Sequence, residues 1–166
     1  MNDLTAQLLA TLESKGLKLA VAESLTGGLL AAEFTSVAGA SNVFLGGIVA
    51  YQSALKHELL GVSASLLDQR GAVDAEVAAQ MAAGVRERLA EKCGIDPFKV
   101  IGLSTTGVAG PDEQDGKSVG TVFAGVASSL FADQVLALNL DGGRQQIRQA
   151  TVDQTIAFLW EQISTL

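Results

Sequence analysis

Leu19-Ala20-Val21-Ala22-Glu23-Ser24-Leu25-Thr26-Gly27-Gly28 is the stretch that decides the fold. Four apolar residues in a row predict a short buried strand, and the paired glycines end it in a tight turn. Residues 29–37, which follow, have helix-forming composition. Strand, turn and helix in that order are the opening unit of a layered α/β domain. The turn sets the Ser24 hydroxyl at the positive end of the coming helix, beside N–H groups that have no helical partner. Two readings fit. The serine is a helix cap, or it is a nucleophile whose oxyanion those N–H groups stabilise.

The chain on either side continues the alternation. Residues 4–12 carry leucines at helical spacing and stop near Gly16. Residues 43–51 form an apolar run with a Gly46-Gly47 pair and read as a second strand. Ser53 is placed to cap a short helix that runs to Leu60 and stops at Gly61, and residues 65–68 suit one more helical turn. Asp74 is the expected cap of a long helix through Lys92, because Val77, Met81, Val85 and Leu89 recur on one face. A third strand is expected over residues 100–105. Residues 119–127 and 134–140 are strand-like and close enough to form a hairpin. Gly142-Gly143 breaks the chain before a closing helix over residues 144–163. The expected fold is a three-layer α/β/α sandwich with a mixed, mostly parallel sheet, and the expected organisation is one domain over residues 1–166.

Composition narrows the function. Net charge is −7 with no basic block, which disfavours a nucleic-acid surface. No apolar stretch is long enough to cross a bilayer, and no membrane partner is expected. The start lacks a secretory pattern, and Cys93 is the only cysteine, so a cytoplasmic setting is expected. His57 and Cys93 are the only soft ligand candidates, so no metal is expected. A single histidine also limits the bases available to Ser24 to His57, a carboxylate, a lysine or a tyrosine.

Four groups of residues gather where strands give way to loops or helices, which is where open α/β sheets bind ligands. They surround Ser24, Tyr51 to Lys56, Thr105 to Pro111, and Gly143-Arg144. Lys56 falls in the first turn of its helix, where the dipole disfavours a cation. A lysine must be neutral to act as a base, and desolvation or nearby positive charge lowers its pKa. The plain alternative is a solvated surface lysine. Tyr51 either hydrogen-bonds that lysine or sits at the rim of the sheet. His57 points about 100° away from Lys56 on a helix and reads as a surface residue. Residues 107–120 are rich in glycine and polar side chains, and Thr106-Gly107-Val108-Ala109-Gly110-Pro111 lets a nucleotide approach the main chain. No Walker loop and no GxGxxG fingerprint is present. Arg144, at a helix start, suits a bound anion or is simply exposed, and Arg148 is one turn further on the same face. Glu23 either faces a cationic substrate or ends its strand.

Taken in order, Glu23-Ser24-Leu25-Thr26-Gly27-Gly28, Gly46-Gly47-Ile48-Val49-Ala50-Tyr51, Lys56, Leu60-Gly61-Val62, Gly71-Ala72-Val73, Thr106-Gly107-Val108-Ala109-Gly110-Pro111 and Val119-Gly120-Thr121-Val122 resemble the CinA C-terminal domain family. These are the stand-alone or fused nicotinamide-nucleotide amidases, and the chain is similar to the stand-alone form. The resemblance implies a dimeric α/β/α protein that hydrolyses the carboxamide of nicotinamide mononucleotide to nicotinate mononucleotide and ammonia, without cofactor or metal. It implies Ser24 as nucleophile, Lys56 as base and Tyr51 as its companion. Thr26, Gly27, Gly28, Thr106, Gly107 and Arg144 are the implied substrate-binding residues. The alternatives are a non-catalytic nucleotide-binding module linked to competence or DNA damage, and an amidase of another small substrate. Three positions depart from the family pattern. Leu25 stands where cysteine is usual, Gly143 where aspartate or asparagine precedes the arginine, and Ser118 where proline is frequent in a longer loop.

Overall fold

The computed structural model describes residues 2–164. Its helices are α1 (Asn2–Ser14), α2 (Leu29–Thr35), α3 (Ser53–Leu60), α4 (Ala64–Arg70), α5 (Ala75–Cys93) and α6 (Arg144–Ile163). Its strands are β1 (Lys18–Glu23), β2 (Phe44–Val49), β3 (Val100–Gly107), β4 (Thr121–Ala127) and β5 (Gln134–Asn139). The sheet order is β2-β1-β3-β4-β5. β1 pairs in parallel with β2 and β3, β4 runs antiparallel to β3, and β5 antiparallel to β4. β4 alone therefore runs against the rest, and the sheet is mixed and mostly parallel as the sequence predicts.

The strand that opened the sequence reading is central. Side chains alternate across a sheet, and β1 divides accordingly. Leu19 and Val21 pack into the core shared with α1, α2 and α6, whereas Ala20 and Ala22 pack into the one built on α5. Helices cover both faces, giving three layers. α5 lies across β1, β3 and β4. The Asp74 carboxylate caps it by accepting from Glu76 N–H at 2.8 Å. Val77, Met81 and Val85 are fully buried on its sheet-facing side. Each such side chain contributes on the order of 1.5–3 kcal/mol of burial. Gly84 brings α3 close to α5, because a Cβ there would collide with the Leu60 carbonyl oxygen. That contact fixes the helix that carries Lys56.

Several boundaries shift by one or two residues from the sequence reading, and two of the shifts bear on Lys56. Gln52, not Ser53, is the N-cap of α3, and it caps without a side-chain bond. β2 ends at Val49, two residues before Tyr51. The Ala50 N–H still bonds Glu23 O at 2.9 Å, but the Ala50 carbonyl turns to the Lys56 amine and leaves the ladder. Among the described residues, no helix is long and apolar enough to cross a membrane.

Candidate active site

Ser24 directly follows β1, and its N–H is tied to Thr105 O of β3 at 3.0 Å. The next residues form a tight turn closed by Gly27 N–H on Ser24 O at 3.2 Å. Gly27 and Gly28 hold φ of +57° and +99°, a left-handed conformation open to glycine. The Thr26 hydroxyl bonds the Thr105 hydroxyl at 2.8 Å and locks the turn to the sheet. Ser24 is therefore held at the carboxyl ends of adjacent parallel strands and is 8% exposed.

Lys56 reaches that hydroxyl from α3. Its Nζ donates to Ser24 Oγ at 2.9 Å, to Ala50 O at 2.8 Å and, more weakly, to Tyr51 O at 3.5 Å. The residue is 1% exposed and forms no ion pair among the described residues. Desolvation by burial lowers its pKa from 10.5 to about 8. The geometry suits both protonation states. An ammonium can donate to all three oxygens. A neutral amine can donate to the two carbonyls and turn its lone pair to the serine O–H. The spacing-level alternative of a solvated surface lysine is thereby excluded. His57 points elsewhere, with Nδ1 2.8 Å from Val62 O.

Ser24 opens onto a cavity of about 240 Å³ lined largely by the residues after β3, by Ala72 and Val73, and by Tyr51 to Ser53. Thr106, Gly107 and Arg144 line it too, whereas Thr26, Gly27 and Gly28 do not. Thr106 is buried, and its hydroxyl donates to Ala72 O at 2.7 Å, so it props the cavity wall rather than reaching Lys56. Tyr51 is 57% exposed, and its hydroxyl meets Arg144, not the lysine, because the chain has already left the sheet. Arg144 donates Nη1 to Gly110 O at 2.7 Å and Nη2 to Tyr51 Oη at 3.1 Å. It is thus well placed despite Gly143, whose N–H is satisfied by the Gln146 side chain at 2.8 Å. Leu25, in the position where the family usually has cysteine, is buried against Ala109, Val122 and Ile147.

Comparison with known proteins gives the family and the fold. The CinA C-terminal domain family is matched over residues 1–163. The chain belongs to the CinA C-terminal domain family. It is 44% identical over 152 residues to a protein of Limosilactobacillus fermentum named for competence and damage induction, covering 91% of this chain and 35% of that protein. The chain thus spans about a third of the length of such curated relatives. A CinA superfamily protein from Klebsiella pneumoniae superposes with a TM-score of 0.87 at 26% identity, covering 99% of this chain and 98% of that one. A competence/damage-inducible protein from Agrobacterium tumefaciens gives 0.85 at 32% identity, covering 95% and 92%.

Three further residues organise the site of this CinA-family chain, each in a role that the sequence reading did not assign to it. Glu23 is 1% exposed, and its carboxylate accepts from Gly28 N–H at 2.9 Å, Leu30 N–H at 3.1 Å and Ala31 N–H at 2.9 Å. It therefore occupies the donors at the start of α2 that were expected to hold an oxyanion, and its negative charge disfavours an oxyanion there. Asp115, at φ +52°, accepts from Ala72 N–H at 3.0 Å and ties the loop after β3 to the wall that Thr106 props. The sequence sets Arg148 one turn beyond Arg144 on the same helix face, where it could support that residue. It donates instead to Leu25 O and Thr26 O, at 2.9 and 2.8 Å, from the far side of the Ser24 turn. These roles depend on carbonyls and N–H groups brought together by the fold, and residue identity alone carries little trace of them.

Proposed function

We propose that this CinA-family chain hydrolyses a small carboxamide by a Ser–Lys mechanism, with nicotinamide mononucleotide as substrate. One observation carries the reading: a buried lysine with no carboxylate partner among the described residues, 2.9 Å from a serine hydroxyl that opens onto a polar cavity. A lysine kept for stability alone would be solvated or ion-paired. Burial that lowers its pKa instead prepares a base, at a cost in stability.

In the proposed reaction, neutral Lys56 accepts the Ser24 proton as Oγ attacks the amide carbon. The tetrahedral intermediate collapses when the Lys56 ammonium returns that proton to the departing nitrogen, releasing ammonia and leaving an acyl ester on Ser24. Water, deprotonated by Lys56, then attacks the ester, and the proton passes to Ser24 as the carboxylate leaves. The Ala50 carbonyl accepts from Lys56 throughout and steers its lone pair. The exposed guanidinium of Arg144 is the only basic group of the lining and suits the substrate's phosphate. Support for the mononucleotide comes from the family resemblance together with that cation.

Ammonia release from nicotinamide mononucleotide, with equimolar nicotinate mononucleotide, tests the reading. Ser24→Ala should abolish it while leaving the unfolding transition in place. Turnover by that variant at the wild-type rate would refute the nucleophile. An inactive wild type that is folded and pure would refute the substrate.

A further inference from the structure

The turn beside Ser24 carries two main-chain donors with nothing to bond. A four-residue turn closed by Gly27 N–H on Ser24 O leaves the N–H groups of its middle residues, Leu25 and Thr26, outside the closing bond. Neither has a partner among the described residues. Yet Leu25 is 4% exposed and Thr26 0%. Unpaired N–H groups at buried residues are rare, and here two stand next to a candidate nucleophile.

The carbonyls of the same turn are held by one side chain. Arg148 donates Nε to Leu25 O at 2.9 Å, Nη2 to Thr26 O at 2.8 Å and Nη1 to Gln145 Oε1 at 2.7 Å. It forms no ion pair among the described residues, so its charge is spent on these oxygens. Leu25 C=O and Thr26 N–H belong to one peptide unit. That unit is trans, since the cis bond is Gly110-Pro111, so the two groups point in opposite directions. Anchoring the oxygen to a cation therefore fixes the direction of the N–H and polarises it. The Ser24 carbonyl, anchored by Gly27, does the same for the Leu25 N–H.

We propose that Arg148 is a positioning residue for the hydrolysis: by holding the Leu25 and Thr26 carbonyls it fixes the turn whose unpartnered Leu25 N–H, at a residue that lines the cavity, meets the oxyanion that forms when Ser24 attacks. It acts from behind the turn and is absent from the cavity lining. The α2 donors are not available for this task, because Glu23 holds them. The assignment rests on the reading of Ser24 as the nucleophile, but not on the identity of the substrate.

The test is the rate at which an aryl fluorophosphonate modifies Ser24 in the whole chain, followed by intact mass across pH, with Ser24→Ala as control. Losing a well-aimed oxyanion donor costs about 10²–10³ in rate, so Arg148→Ala should label on the order of a hundredfold more slowly. The pH midpoint should stay where Lys56 sets it. Arg148→Lys, a point charge that cannot bridge two carbonyls, should remain at least about tenfold slow. Millimolar guanidinium should restore part of the Arg148→Ala rate. In ammonia release, kcat should fall with KM nearly unchanged. A merely structural role would lower the urea midpoint and leave the labelling of folded protein at the wild-type rate, which would overturn the proposal. So would a slower rate explained by a shifted pH midpoint. If Arg148→Ala does not fold, Arg148→Lys decides alone, and a wild-type rate in it is refutation. A wild type that labels at Ser24 but releases no ammonia refutes the mononucleotide and leaves Arg148 tested. A wild type that does not label at all overturns both.

Discussion

Lys56→Met isolates the cost of burying the amine. The substitution keeps a long side chain in the same space and removes the titrating group. A pKa lowered from 10.5 to about 8 corresponds to about 3 kcal/mol of differential stability. The sign follows from proton binding. Between about 8 and 10.5 the unfolded chain holds a proton that the folded chain has lost, so wild-type stability rises with pH through that window. Below it, both states are protonated and the full penalty stands. Above it, both are neutral and the penalty is gone. Methionine has no such dependence. The stability of the wild type minus that of Lys56→Met should therefore rise by about 3 kcal/mol from neutral pH to beyond 10.5. At neutral pH the variant gains that amount and loses the bonds to Ala50 O and Ser24 Oγ, worth about 1 kcal/mol each, for a net gain of about 1 kcal/mol. Urea unfolding of both proteins at matched pH values measures the difference, and other titrating groups cancel. A difference that stays constant across the window would refute the argument that the amine is buried at a cost.

Two other residues invite simple tests. Glu23→Gln turns an amide N–H₂ toward main-chain N–H groups that now share a carboxylate, so stability should fall by about 2 kcal/mol, read as a lower urea midpoint. Unchanged stability would mean that α2 is capped in another way. Asp115→Ala should raise KM several-fold with kcat preserved, because Ala72 loses its anchor while Ser24 and Lys56 keep theirs. Asp115→Asn retains an acceptor and tolerates the left-handed backbone, so it should behave as wild type. Equal KM values for all three proteins would remove the loop from substrate binding.

Local pattern made most of the fold legible. The apolar run of β1 and the glycines after it, the fourfold spacing on α5 with Asp74 before it, and the breaker ahead of α6 each sit within one short window of sequence. The hairpin of β4 and β5 was equally plain. Within the site, Ser24 could be singled out by its place between a buried strand and a glycine turn, and Lys56 because a cation is disfavoured in the first turn of a helix. What stayed hidden depends on tertiary approach. Glu23 reaches N–H groups five to eight residues ahead, which no short capping pattern encodes. Arg148 meets carbonyls more than a hundred residues away. Tyr51 takes the rim position that its sequence also allowed, and its hydroxyl meets Arg144, 93 residues away, rather than the lysine.

The most direct measurement for the central claim is the pH dependence of kcat/KM for ammonia release from nicotinamide mononucleotide, taken from about pH 6 to about pH 10. If an uncharged Lys56 activates Ser24, the rate rises about tenfold per pH unit and levels off near 8, and Lys56→Ala yields no ammonia at any pH. A flat profile, a midpoint near the ordinary histidine value of about 6.5, or turnover by Lys56→Ala would contradict it.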